Sequence, residues 1–232
     1  KDYLSAYEEL RKNDRNFLIK EDYLSFSDIM FSISHCLRIL FLKIQCVYFL
    51  GIDISSLIRE EILTLKGFSN AVESLLNYRF AKSLKKNQLN LRLIIDWFEN
   101  QVVDKGWNAG FSRYYPDVPT IGYRGYITSD LYLCTLPSKC ENINNVLPHE
   151  IAVIGKELCV STREFDATLK TKVVPAFRFS HLWEKISFNP DPKYYTILFP
   201  LSYRKVESKE IFDALFDNLD YMLKNNIHII VK

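Results

Sequence analysis

The stretch LRLIIDWFENQVVDKGWNAGFSRYYPDVPTIGYRGY, Leu91 to Tyr126, decides the fold class. Leu91 to Phe98 is a near-continuous apolar run, the pattern of a parallel strand covered on both faces. Asn100 to Tyr115 reads as a helix, with Val102, Val103, Trp107, Ala109, Gly110 and Phe111 available for packing. Pro116 and Pro119 end it, and Thr120 to Tyr123 reads as a second strand. Strand, helix and strand in this order predict an α/β fold with a parallel sheet and crossover helices. Open sheets of this kind bind ligands at the carboxyl ends of their strands, and Glu99 falls at such an end.

Downstream the alternation continues. Glu150 to Gly155 predicts a strand, Thr162 to Leu169 a short helix and Thr171 to Pro175 a strand. Residues 181–192 read as a linker, broken by Asn189-Pro190-Asp191-Pro192. A fresh unit then begins: strand Tyr194 to Phe199, a polar loop from Pro200 to Glu207, a helix capped by Ser208, and strand Ile227 to Val231. One such unit cannot cover both faces of its own sheet, so the expected domain continues beyond Lys232.

Upstream, residues 1–90 read as helical. Ser25 or Ser27 caps a helix starting near Asp28, and Ile29, Met30, Ile33, Leu37, Leu40, Phe41, Ile44 and Tyr48 recur at helical spacing up to a stop at Gly51. Ser55 to Leu65 and Ala71 to Lys85 predict further helices. The basic run Arg79, Lys82, Lys85 and Lys86 suits a helix C-terminus, and equally an anionic membrane surface.

Composition sets the outer limits. The 232 residues are 48% hydrophobic and 25% charged, with a net charge of +2, which gives no reason to expect a nucleic-acid partner. The five cysteines form no CxxC pair, which predicts free thiols in a reducing cytoplasm and no metal site. The opening residues lack the pattern of a signal peptide, and charged residues interrupt the apolar region Phe26 to Ile54 before it could span a membrane. The first residue is not Met, which together with the closing strand predicts a piece of a longer protein.

Several constellations suit ligand chemistry. Glu99, at a strand end before a helix, is placed to act as a base or nucleophile in glycosyl transfer, or to cap the helix. Asp96 reads as structural and Asp104 as solvent-facing. In Gly122-Tyr123-Arg124-Gly125-Tyr126 the glycines allow close backbone approach, and Arg124 suits bidentate recognition of a carboxylate or phosphate. His149 reads as a surface or capping group at a strand entrance, and Gly155 and Lys156 as cleft residues at the other end of that strand. Arg178 either faces a cleft or pins the linker. Ser202, Tyr203, Arg204 and Ser208 surround a helix N-terminus suited to a nucleotide phosphate. Neither DxD, GxGxxG, GxSxG nor a Walker loop occurs, which disfavours metal-dependent sugar transfer, dinucleotide binding and serine hydrolysis.

The runs Asp96-Trp97-Phe98-Glu99-Asn100-Gln101, Ile121 to Tyr126, Pro148-His149-Glu150-Ile151, Val153-Ile154-Gly155 and Pro175-Ala176-Phe177-Arg178 together resemble bacterial surface-polysaccharide glycosyltransferases of GT-B type. The resemblance is to capsule and O-antigen enzymes that include transferases of Kdo and related CMP-activated acidic sugars, and it covers about residues 90 to 232. It implies two Rossmann-like domains facing across a cleft, preceded here by the helical region 1–90. Residues 91–180 would be the acceptor-side domain, 181–192 the linker, and 193–232 the start of the nucleotide-sugar domain. It implies metal-independent transfer from a nucleotide sugar to a glycan or lipid-linked acceptor, with no cofactor, in the cytoplasm and at the inner membrane face. Glu99 would be catalytic, and Arg124, Gly125, Tyr126, Gly155, Lys156, Arg178, Ser202, Arg204 and Ser208 would bind substrate or donor. The family often carries Gln-His where this chain has Arg124-Gly125. Two other readings stay open: a non-catalytic scaffold of capsule assembly, and a CDP-polyol phosphotransferase.

Overall fold

The computed structural model describes residues 3–13, 17–64, 66–127, 132–183, 193, 195–202 and 204–232. The chain forms two compact units, Lys1–Arg178 and Phe179–Lys232.

The first unit opens with α1 (Tyr3–Arg11), α2 (Lys20–Tyr23), α3 (Phe26–Ile33) and α4 (His35–Leu40). A two-stranded antiparallel hairpin follows, β1 (Tyr48–Phe49) and β2 (Ile52–Asp53), then α5 (Ser55–Leu63) and α6 (Phe68–Lys86). The single helix expected from Ile29 to Tyr48 is therefore two short helices and half a hairpin. The first break falls at Ser34, whose hydroxyl bonds back to Phe31 O at 2.9 Å. Such back-bonding by Ser competes with the helix ladder.

The remainder of this unit is α/β. β3 (Ile94–Trp97), α7 (Val102–Tyr114), β4 (Thr120–Arg124), α8 (Lys139–Ile143), β5 (Glu150–Val153), α9 (Lys156–Thr162) and β6 (Thr171–Val173) build one parallel sheet in the order β3-β4-β5-β6. The short helix expected over Thr162 to Leu169 lies earlier, at Lys156–Thr162. Asp166 instead accepts from Thr168 N and Oγ1 and from Asn142 Nδ2, tying a turn to α8.

Each strand is added beside its predecessor on the same side. With right-handed crossovers, that order places every connecting helix on one face. On that face Ile94 packs with Phe80, Ala81, Leu84, Phe111 and Tyr115, and Phe98, Ile151 and Val153 pack with Leu147 and Leu169. Among the described residues no helix lies on the opposite face, leaving Ile95 60% exposed and Trp97 45% exposed. The Leu91 to Phe98 run is thus apolar on both sides but covered on one. Alternation fails to separate the two cases when both faces of a strand carry apolar residues.

Close backbone approach fixes α6 against α7. A Cβ on Gly106 would lie 1.8 Å from Ser74 O, and one on Gly110 would lie 2.9 Å from Tyr78 Cα. Gly106→Ala is accordingly expected to destabilise the fold by about 1–3 kcal/mol, the usual range for overpacking. It should lower the urea midpoint at an unchanged m-value, and an unaltered midpoint would rule out this helix register.

The second unit is one strand–helix–strand motif. β7 (Tyr195–Phe199) pairs in parallel with β8 (Ile227–Val231), and α10 (Lys205–Asp217) and α11 (Leu219–Lys224) connect them. Of the linker expected at 181–192, residues 184–192 lie outside the described residues. Among the described residues no helix is long and apolar enough to cross a membrane.

Candidate functional site

The carboxyl ends of β3 to β6 share one edge because the sheet is parallel. Glu99 stands there, half-buried, between β3 and α7. Its position comes from the start of α7. The Asp104 carboxylate accepts from Glu99 N at 3.0 Å and Gln101 N at 2.9 Å, capping the helix. Asp104 therefore turns inward to its own loop rather than to solvent, and burial raises its pKa above the ordinary carboxylate value. A carboxylate at N3 satisfies backbone N–H groups that the helix cannot, which is why the side chain turns back.

Two donors fix the Glu99 carboxylate. Trp97 Nε1 donates to one oxygen and Gln101 Nε2 to the other, both at 2.7 Å. Each carboxylate oxygen keeps a lone pair for a further donor. Around it lies an aromatic shelf. Trp97 stacks on Tyr126 with ring centroids 5.9 Å apart and meets Tyr123 edge-on at 5.7 Å. Tyr123 in turn contacts Phe177 at 5.8 Å, and its hydroxyl accepts from Phe177 N at 3.1 Å. Trp97, Tyr123 and Phe177 did not figure as site residues in the sequence. Trp97 and Tyr123 are cross-strand partners at the ends of β3 and β4, a pairing that only the strand register reveals.

Arg124 does not reach this shelf. Its register opposite Val153 sends it to the helix face, where it is 1% exposed. Its guanidinium donates to Thr162 Oγ1 at 3.1 Å and to Thr135 O, and its Nε is buried with no partner among the described residues. Burial lowers its pKa. It therefore ties Thr135 and Thr162 of α9 to β4 and is closed to ligand. Gly125 is small for packing: a Cβ there would lie 2.6 Å from the Tyr123 ring and 2.8 Å from the Trp97 ring. The Tyr126 hydroxyl is buried with no partner among the described residues, and burial pushes its pKa up to about 12.

Gly155 precedes α9 and Lys156 opens it, exposed, at the carboxyl end of β5 as the sequence predicts. His149 joins the entrances of β4 and β5: Thr120 N donates to His149 Nδ1 at 3.1 Å, and His149 N donates to Thr120 Oγ1 at 2.9 Å. Arg178 is exposed and ends the first unit.

In the second unit, Arg204 rather than Ser208 is the residue before α10. Ser208 lies in the first turn and donates to Ser202 O at 2.7 Å. Ser202 Oγ accepts from Arg204 N at 3.2 Å and donates to Glu207, which also ion-pairs with Arg204. The Glu207 carboxylate thus occupies the positive helix start that was expected to receive a phosphate. Tyr203 lies outside the described residues.

Among the described residues no group of three or more His, Cys, Asp or Glu is placed to hold a metal ion. Comparison with family models, curated protein sequences and solved structures finds no match to this chain.

Proposed function

We propose that the chain is a glycosyltransferase of GT-B type, moving a sugar from a nucleotide donor to a glycan or lipid-linked acceptor. The observation that carries this reading is the Glu99 carboxylate, oriented by Trp97 and Gln101 at the carboxyl edge of the parallel sheet. A carboxylate so held can take the proton of an acceptor hydroxyl as the glycosidic bond forms. The exposed face of Trp97 beside it suits the apolar face of a sugar ring. The parallel strand–helix–strand of residues 195–231 would be the donor side, and a CMP-linked acidic sugar is the donor class. Since Arg124 is buried, exposed Lys156 takes the role of anion contact in the first unit.

Calorimetry of the full chain with cytidine and uridine nucleotides tests the reading. Binding of a nucleotide, with release of that nucleotide and a lengthened glycan in product analysis, is the expected result. Absence of binding to any nucleotide would leave a scaffold. Release of CMP together with transfer of a polyol phosphate would make it a phosphotransferase.

A further inference from the structure

The helices before the sheet are built inside out. α3 buries its polar residues Asp28 and Ser32 and exposes Phe26 (77%), Met30 (49%) and Ile33. Asp28 forms an ion pair with Arg79 of α6 at 2.7 Å, and Ser32 Oγ donates to Asp28 O at 2.9 Å. Polar contacts therefore hold α3 down while its apolar side faces out. α4 continues the exposed row with Leu37 and Leu40, and Phe41 and Leu42 extend it. A helix on a water-facing surface shows the reverse arrangement, and a contiguous apolar face of this kind marks an interaction surface. The β1–β2 hairpin adds a tip, Phe49-Leu50, with Leu50 87% exposed.

Charge identifies the occupant. A groove of about 620 Å³ runs beside this row, lined by Leu40, Phe41 and Leu42 together with Lys43 and Arg59. Among the described residues neither Lys43 nor Arg59 forms an ion pair, while Glu61 pairs with Lys66 and Asp53 accepts from Ser55 N and Oγ. Two cations set into an apolar groove complement a molecule with an anionic head and an apolar tail. A protein partner with a purely apolar face would leave both cations uncompensated.

We propose that α3, α4, the hairpin tip and the Lys43–Arg59 groove form a docking surface for an anionic phospholipid bilayer. The apolar row enters the acyl boundary and the two cations meet lipid phosphates, the pattern of an interfacial rather than a spanning element. The surface shares no residue with the Glu99 edge, so it stands or falls independently of the transferase reading.

Cosedimentation of the full chain with vesicles of phosphatidylcholine, alone or mixed with phosphatidylglycerol, is the test. The wild type is expected to bind the mixed vesicles more tightly than the neutral ones, and raised salt should weaken that binding. K43E/R59E should lose roughly 25-fold in affinity, taking about fivefold for each cation removed. L37E/F41E should not bind. These side chains are exposed or half-exposed at the surface, so the variants should keep the wild-type circular dichroism spectrum, and F26S/M30S offers a second apolar pair if one does not. The proposal is overturned if the wild type ignores phosphatidylglycerol vesicles, or if both double variants bind like the wild type. It is equally overturned if the wild type is a dimer that L37E/F41E makes monomeric without any lipid binding.

Discussion

Glu99→Gln is expected to lower turnover in glycosyl transfer by roughly 10²- to 10⁴-fold, the usual contribution of a positioned general base. A nucleophilic role would give a loss at least as large. The variant should fold, because the loop can absorb it. Its amide oxygen can keep the bond from Trp97 Nε1, while Gln101 turns its own amide to accept from the new NH₂. The capping contacts of Asp104 with Glu99 N and Gln101 N use backbone atoms and are untouched. Nucleotide affinity, measured by calorimetry, should stay near wild type, so that the loss falls on kcat. Near wild-type turnover in a folded Glu99→Gln protein would remove Glu99 from the chemistry. Loss of nucleotide affinity together with kcat would make it a binding residue instead.

The sheet and its edge could be read from the sequence where local signals and tertiary packing agree. β3, α7 and β4 lie within three residues of their expected places, because an apolar run and two prolines agree with the packing. The helix after β5 was misplaced for the opposite reason. Lys156 opens α9 with no side-chain cap, while the capping-like Thr162 and Asp166 serve tertiary bonds to Arg124 and Asn142. Arg124 was misassigned by one step of alternation. An arginine at a strand end looks ligand-facing, but register sends odd and even positions to opposite faces. The inverted burial of α3 was illegible too. Helical periodicity gives the apolar stripe, yet nothing in it says whether that stripe turns inward or outward. The same holds for Ile95 and Trp97, whose open face follows from strand order alone.

Asp96→Asn is expected to stabilise the protein increasingly as pH rises. Asp96 faces the helices from the middle of β3, and among the described residues neither of its buried carboxylate oxygens has a partner at full hydrogen-bond geometry. Asn108 of α7 lies beside it, one N–H of its Nδ2 donating to Asp104 O at 2.9 Å, and its Oδ1 is buried with no partner among the described residues. The second N–H of Asn108 Nδ2 favours the Asp96 carboxylate, but burial outweighs it, and a proton on Asp96 supplies the donor that Asn108 Oδ1 lacks. Burial first, and then the negative charge of Asp104, raise the Asp96 pKa to about 7. In the unfolded chain an aspartate titrates near ~3.9. Between these values the unfolded state has lost its proton and the folded state retains it. The native state is therefore favoured least at high pH: stability falls by about 1.4 kcal/mol per unit from about pH 4 to pH 7 and is then level, a loss on the order of 4 kcal/mol. Asn at this position cannot ionise, and its Nδ2 can donate to Asn108 Oδ1. Urea titrations at a series of pH values should show the two proteins nearly equal near pH 4 and Asp96→Asn ahead by that full margin at pH 8. A difference that does not change with pH would mean that Asp96 is ionised in the folded protein throughout, and that water or another donor satisfies it.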